Sequence, residues 1–268
     1  MKKIQTISFI TPRQAAFSLI ELLVVISVIS LLLSIAIPVL GRARSAAYQT
    51  VCQSRLHQWA LAFEVYATQN SGLYPHIDGL DRNASPADNF GWVDMLPPLL
   101  GEKSWRDYKF WNKPDKKTIF QCPMAEPAGG NLYNYNPLKV GFFSYAMNSC
   151  LELDKNCWPP YDQPTGNNMP PFLNTASIKM PWRVVLLFDQ LLDPTKGYNT
   201  KKINPSAGKY CGSYPKAFSA QHPRQKGRLG GNILFCDYHI EWTASVWKPE
   251  WPDDLEVPPR SDFNWFPY

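Results

Sequence analysis

The sequence predicts an α+β protein in which one long amino-terminal helix, membrane-spanning in its first half, packs on a carboxy-terminal antiparallel β-sheet head with long loops. Residues 22–40 contain no ionisable side chain. Apolar residues then recur every three or four positions as far as residue 67, which is typical of a helix with one buried face. Of the 25 prolines, only Pro12 and Pro38 precede residue 73, so the rest of the chain is poorly suited to long helices.

The positive charge of the chain is concentrated at its amino terminus. The 268 residues include 27 Lys+Arg and 22 Asp+Glu, a formal net charge of +5. Lys2, Lys3 and Arg13 lie within residues 1–16, which contain no acidic residue. The rest of the chain is therefore nearly neutral, and no nucleic-acid partner is predicted. An aromatic content of 14% also excludes a low-complexity disordered chain.

Residues 17–40 are predicted to span a membrane. Glu21 is the only charged residue among them, and as a helix the run from residue 22 to residue 40 spans ~28 Å, close to the hydrocarbon thickness of a bilayer. The basic residues that precede this run favour a cytoplasmic amino terminus and an exported remainder. A cleaved secretory signal peptide is the alternative, with Ser34-Ile35-Ala36 as its cleavage site.

Glu21 is unusual because a carboxylate inside an apolar helix costs roughly 2.5–3.5 kcal/mol on insertion scales. One explanation is that its carboxylate reaches the membrane interface. The other is a cationic partner, because a cut before Phe17 creates an α-amino group on the same helical face. In an assembly of parallel helices, this amine of one subunit pairs with Glu21 of its neighbour and fixes the axial stagger between them.

The segment Ala16-Phe17-Ser18-Leu19-Ile20-Glu21 resembles the processing motif of type IV prepilins and type II secretion pseudopilins. The resemblance implies that a prepilin peptidase removes a leader of residues 1–16, cuts between Ala16 and Phe17, and methylates the new amine of Phe17. It also assigns subunit assembly to Glu21 and to the helix-kinking Pro38. This chain departs from the family at Ala16, where the family usually has glycine.

Residues 41–72 are predicted to continue the helix outside the membrane. Their apolar residues form one stripe, which we expect to dock on the head rather than on a second helix. Pro38 is expected to bend the helix without ending it, and Asn70-Ser71-Gly72 to stop it. The stripe consists of Tyr48, Cys52, Leu56, Trp59, Ala60, Phe63 and Ala67.

Residues 73–268 are predicted to form a single β-rich head. Strand-like segments alternate with loops rich in glycine, proline, asparagine and aspartate. The segment 154–180 is long enough to be a surface excursion. The predicted strands are 118–121, 141–146, 183–188, 232–236 and 239–243.

Parts of the head resemble a pseudopilin-like group whose carboxy-terminal region is described by a histidine, a nine-residue spacer and Asp-Gly. Residues 120–123, 144–148 and 230–239 are similar to that group. Here 14 residues separate His222 from Asp237, and Tyr238 stands at the glycine position. Because the Asp-Gly turn needs positive φ, we expect a longer or different turn at this place.

The six cysteines permit disulfides in an exported head. Cys150 and Cys157 flank a short loop and are the predicted pair. Cys52 and Cys236 are either disulfide-bonded or buried free thiols. No cysteine pair has the spacing of a zinc site, so neither a metal nor a cofactor is predicted.

The sequence offers no nucleophile, phosphate-binding or metalloprotease motif, and no enzymatic activity is predicted. A trio of Ser219, His222 and Asp237 is available but has no distinctive spacing. At Asp237 and His239 we expect either structural pairing of the side chains or a turn-forming role for Asp237.

The predicted function is that of a pilin-like or pseudopilin subunit for type II-like protein secretion. Its expected partners are a prepilin peptidase, other pilin or pseudopilin subunits, the secretion machinery and the membrane. Its expected location is the bacterial inner membrane, single-pass, with the head exported and found in a periplasmic or surface filament after assembly. The alternative is a membrane-tethered periplasmic binding protein or enzyme that uses residues 17–40 only as an anchor.

Overall fold

The computed structural model describes residues 18–76, 91–107, 118–125, 143–148, 151, 174–190, 211–212, 218, 222, 230–244 and 264. The chain divides into two compact units, Met1–Arg44 and Ser45–Tyr268. One helix, α1, comprises Leu19–Gln69.

Within the first unit, every described residue of α1 is exposed. Between Leu19 and Leu40 apolar side chains are exposed on all sides of the helix, so this stretch has no buried face. Pro38 lies in the helix interior and does not end it, as predicted.

Within the second unit, α1 buries one stripe of side chains against the head. The predicted stripe is confirmed, except that Tyr48 is half-buried and Ala62 belongs to it as well. Spacings of three and four residues place these side chains on one face. The buried residues are Cys52, Leu56, Trp59, Ala60, Ala62, Phe63 and Ala67.

The helix ends where the sequence predicts. Ser71 and Gly72 both have positive φ, at 57° and 81°. The Gly72 amide donates to the Ala67 carbonyl at 2.8 Å, which is the six-to-one bond of a Schellman stop. A Cβ on Gly72 would lie 3.2 Å from the Asn174 side chain, so glycine suits this position for both reasons.

The head is built on a five-stranded sheet of order β3-β1-β2-β4-β5. β1, β2, β4 and β5 pair antiparallel, as the predicted fold class requires. The short edge strand β3 instead pairs parallel with β1. Parallel pairing needs a long crossover, and the segment between these two strands is long enough to provide one. The strands are Tyr145–Asn148 (β1), Val185–Asp189 (β2), Cys211–Gly212 (β3), Gly230–Phe235 (β4) and Ile240–Ala244 (β5).

Four of the five predicted strands are therefore present, with ends shifted by one to four residues. The prediction for 118–121 is wrong, because 118–125 is a series of turns. The Gln121 amide donates to the Thr118 carbonyl, and the Ala125 amide to the Cys122 carbonyl. Phe120 and Cys122 are fully buried in this segment, so its apolar pattern reflects core contacts rather than strand pairing.

Aromatic side chains fill the space between α1 and the head. The Trp59 ring lies 4.9 Å from Trp92 and 5.7 Å from Phe120. The Phe63 ring lies 5.7 Å from Tyr74. Trp92 belongs to the short helix α2 (Trp92–Met95), which the turns Pro97–Leu100 and Trp105–Asp107 follow. These ring contacts attach the second half of α1 firmly to the head.

The β4–β5 hairpin has the longer turn that the sequence predicts. The Tyr238 amide donates to the Phe235 carbonyl, and the Phe235 amide to the His239 carbonyl. Tyr238 has φ of 69°, the left-handed conformation that closes three-residue hairpin loops. Its half-buried ring packs against the core, which offsets the cost of that conformation.

Candidate functional site: the amino-terminal helix and a buried polar cluster

Ser18 and Glu21 form a reciprocal cap at the start of α1. The Ser18 amide donates to Glu21 Oε2 at 2.9 Å, and the Glu21 amide donates to Ser18 Oγ at 3.2 Å. This arrangement is a capping box, which satisfies two amides that a helix start leaves without partners. In this chain Glu21 therefore has a local role in addition to its predicted role in assembly.

The surface of α1 from residue 19 to residue 40 is a continuous apolar band. Leu19 is 80% exposed and Leu40 is 70% exposed, and the apolar residues between them are exposed as well. The helix is long and apolar enough to cross a membrane. Ser27 and Ser34 donate their hydroxyls to the carbonyls of Leu23 and Leu31, so these polar groups are satisfied within the helix.

Four of the predicted site residues lie outside the described residues. Ala16 and Phe17, the predicted cleavage site, precede the first described residue, and Cys150 and Cys157, the predicted disulfide, fall in gaps. These assignments stay predictions. Glu21 and Pro38 lie in the first turn and in the interior of α1.

The capped acidic residue Glu21 lies in the first turn of α1, at the start of the apolar band. Residues 11–37 match the family model described as the prokaryotic N-terminal methylation motif. This match is consistent with a type IV prepilin-like protein. The motif implies processing by a peptidase and assembly with other pilin subunits, and it is typical of a structural subunit.

The match stops at residue 37, so the resemblance of the head to the histidine–Asp-Gly group stays a prediction. No curated protein and no solved structure matches the chain. The apolar helix is compatible with a single-pass, membrane-anchored protein.

A second group of residues with chemical potential lies inside the head. Cys52 of α1 forms a disulfide with Cys122, with their Cα atoms 5.3 Å apart. Of the two alternatives for Cys52, the structure therefore has the disulfide. Cys236 is a free, buried thiol, and burial raises the pKa of that thiol strongly. The disulfide ties the long helix to the segment 118–125.

His222 and Asp189 lie directly beside this disulfide. His222 Nε2 is 3.2 Å from Asp189 Oδ2 and 3.3 Å from Cys122 Sγ. The Asn232 amide and its side-chain Nδ2 both donate to Asp189 Oδ2 at 2.7 Å. Gln53 Nε2 of α1 in turn donates to Asn232 Oδ1 at 3.2 Å. We name Cys52, Cys122, Asp189 and His222 the buried cluster.

The position of His222 depends on backbone contacts. Its amide donates to the Gly230 carbonyl at 3.0 Å, and its own carbonyl accepts from Trp242 Nε1 at 3.1 Å. A Cβ on Gly230 would lie 2.1 Å from the Thr243 carbonyl and 2.6 Å from the Trp242 ring. Only glycine allows β4 and β5 to approach so closely here, and this approach keeps Trp242 in reach of His222.

The geometry of His222 does not match a catalytic triad. In a triad, one ring nitrogen faces the nucleophile and the other faces the carboxylate. Here Nε2 faces both the sulfur and the carboxylate, while Nδ1 has no hydrogen-bond partner among the described residues. Asp237 pairs instead with His239, Oδ1 to Nδ1 at 2.5 Å, which is one of the two structural roles expected there. Ser219 lies outside the described residues.

The buried cluster could not be found from the sequence because its four side chains come from segments that are far apart in the chain. No CxxC spacing connects Cys52 with Cys122, which are 70 residues apart. The available signals were weak. Cys52 lies in the apolar stripe of α1, and Asp189 ends an apolar strand, where a carboxylate needs partners.

Proposed function

We propose that this protein is a structural subunit that a prepilin peptidase processes between Ala16 and Phe17 and that assembles into a pilus or pseudopilus. Such a filament would serve type II-like protein secretion, with the heads forming its outer surface. The observation that carries the proposal is the match of residues 11–37 to the N-terminal methylation motif.

The contrast in burial along α1 supports this function. The residues from Ser18 to Arg44 are all exposed, although most of them are apolar. A bilayer covers such a surface before assembly, and neighbouring helices cover it inside a filament. The core of the head contains no residue from this stretch.

The assembly mechanism follows from Glu21. In the single chain its carboxylate accepts from the Ser18 amide and caps its own helix. After cleavage, the α-amino group of Phe17 on a neighbouring subunit supplies a positive charge at the same depth. A charge-assisted hydrogen bond is stronger than a neutral one, and more so in an apolar medium, so the pair fixes the stagger between subunits.

Removal of the acidic group tests the proposal. We expect Glu21→Ala to abolish filament assembly in a host that supplies a prepilin peptidase and an assembly system, measured as subunit in the sheared surface or pseudopilus fraction. Glu64→Ala is the matched control, because Glu64 is an exposed acid on the same helix within the second unit. This control variant should assemble normally.

The mature amino terminus provides an independent measurement. Intact mass and amino-terminal sequencing should find N-methylated Phe17 as the first residue. A chain that starts at Met1, or after Ala36, contradicts the proposal. A Glu21→Ala protein that keeps its cellular function without assembling would favour the alternative, in which residues 17–40 only tether a periplasmic binding protein or enzyme.

A further inference from the structure

The buried cluster brings together the ligand atoms that zinc prefers. The Sγ atoms of Cys52 and Cys122 and the Nε2 of His222 lie within 4.8 Å of one another. Asp189 Oδ2 is 3.2 Å from the same nitrogen. All four side chains are 0% exposed. Two thiolates and one imidazole supply three of the four ligands of a tetrahedral Zn²⁺ site, and the Asp189 carboxylate lies beside the imidazole as the proposed fourth.

The spacing around His222 Nε2 matches that of a shared metal ion. With zinc bonds of ~2.3 Å to sulfur and ~2.0–2.1 Å to nitrogen and oxygen, tetrahedral ligands lie about 3.6 Å (N to S) and about 3.4 Å (N to O) apart. The observed distances are 3.3 Å and 3.2 Å. A neutral imidazole has at most one proton on Nε2, so it cannot bond fully to both electron-rich neighbours. A cation between the three atoms would satisfy all of them.

Groups around the buried cluster also suit a metal-bound state. The Met124 amide donates to Cys122 Sγ at 3.4 Å, an interaction that stabilises a thiolate. Two donors from Asn232 hold the Asp189 carboxylate in place, as outer-shell partners of metal ligands do. Asp189 Oδ1 is buried and has no hydrogen-bond partner among the described residues, so the carboxylate keeps unused acceptor capacity next to the site.

We propose that the buried cluster has two alternative states: the disulfide seen here, and a zinc site formed by Cys52, Cys122, His222 and Asp189 when both cysteines are reduced. In forming the second state, the two thiols release two protons and their sulfurs bind Zn²⁺. Oxidation then forms the S–S bond, releases Zn²⁺ and passes two electrons to a disulfide or quinone oxidant. Either state ties α1 to the segment 118–125, so zinc holds the head together wherever the thiols stay reduced.

Cobalt(II) is the spectroscopic probe for this site. The full chain in detergent micelles is reduced with a phosphine under anaerobic conditions, freed of the reductant and titrated with Co²⁺. We expect one Co²⁺ per chain, with a thiolate-to-cobalt charge-transfer band and the visible bands of tetrahedral cobalt. Zn²⁺ should displace it. The oxidised chain should bind no Co²⁺ in this way.

Variants separate this site from other cysteine ligands. Cys122→Ser should abolish the charge-transfer band of the site, and His222→Gln should weaken Co²⁺ binding at least 10-fold. Cys236→Ser is the matched control, because Cys236 is a buried thiol outside the buried cluster, and the band should persist. A reduced wild-type chain without the band, or a band that is lost only in Cys236→Ser, overturns the proposal.

Reduction removes the bond between α1 and the segment 118–125, so near-ultraviolet circular dichroism accompanies the titration to follow the folding of the head. If the signal is lost on reduction, added Zn²⁺ must restore it in the wild type and not in His222→Gln. A reduced chain that stays unfolded with Zn²⁺ also contradicts the zinc site.

Discussion

The first half of α1 (residues 19–44) and its second half (residues 45–69) are both helical, but their apolar side chains differ in burial. Leu32, in the first half, is 62% exposed, whereas Leu56, in the second, is 0% exposed. The first half is apolar all round, and the second has a single apolar stripe with polar residues opposite. Secondary structure therefore does not tell these halves apart. The distribution of apolar side chains around the helix decides whether lipid, a neighbouring helix or the head covers them.

The largest effect is expected from loss of the disulfide, which involves only the second half of α1. We expect the double variant Cys52→Ala/Cys122→Ala to lower the free energy of unfolding of the head by about 4 kcal/mol, because the bond closes a long loop. Urea unfolding followed by near-ultraviolet circular dichroism measures this. Cys236→Ala should lower the free energy of unfolding much less. A double variant with an unchanged free energy of unfolding would refute the structural role of the disulfide.

A matched pair of leucines on one helix sharpens the same contrast. Leu56→Ala should destabilise the head by roughly 2–5 kcal/mol, because it leaves a cavity in the core. Leu32→Ala removes the same atoms from an exposed position and should change head stability by less than about 0.5 kcal/mol. Thermal unfolding of both variants in micelles checks this. Equal losses would mean that the first half also contributes to the head core.

Alkaline pH should act on the second unit alone. Burial raises the pKa of Tyr74 and of Tyr145 well above the ordinary value of 10.0. The unfolded chain loses these protons above about pH 10 while the folded head keeps them, so stability is fully present below that pH and falls as pH rises. The expected slope is ~1.4 kcal/mol per pH unit for each tyrosine.

The first half of α1 contains no tyrosine, so its helix should persist when the head unfolds. Urea unfolding at a series of pH values, with far- and near-ultraviolet circular dichroism, separates the two signals. Tyr145→Phe should reduce the alkaline slope by the contribution of one tyrosine, ~1.4 kcal/mol per pH unit. A slope that is the same in Tyr145→Phe and in the wild type would count against this assignment.

The smallest effect on the head is expected at the first residue of the helix cap. Ser18→Ala removes the hydroxyl that accepts from the Glu21 amide and should cost the helix start about 1 kcal/mol. Amide hydrogen exchange at residues 19–22 should become about five-fold faster. The melting of the head should not change, whereas a shift would show that the cap is coupled to it.

Much of the fold could be predicted because its signals are local. A run without ionisable residues, a stripe at helical spacing and a glycine stop define α1, and alternation between turn signals locates most strands. The failure at 118–121 is instructive. Phe120 points into the core and Cys122 into a disulfide, so an apolar pattern arose without strand pairing.

The buried cluster shows why the pairing of cysteines is harder to predict than the position of a helix. Six cysteines allow many connectivities, and the chosen bond joins α1 to a turn 70 residues away. The prediction favoured Cys150 and Cys157 because a short loop is the only pairing signal visible in a sequence. Whether distant thiols meet depends on how α1 docks on the sheet.

The sequence by itself determined the amino-terminal segment of this protein. The motif in residues 11–37, the apolar band and the Ser18–Glu21 cap depend on neighbours within a few residues, so their chemistry can be read without a fold. The tertiary structure decided the chemistry of the head. It alone places Cys122 Sγ and Asp189 Oδ2 beside Nε2 of His222, because residues from distant segments meet only through the fold of the whole head.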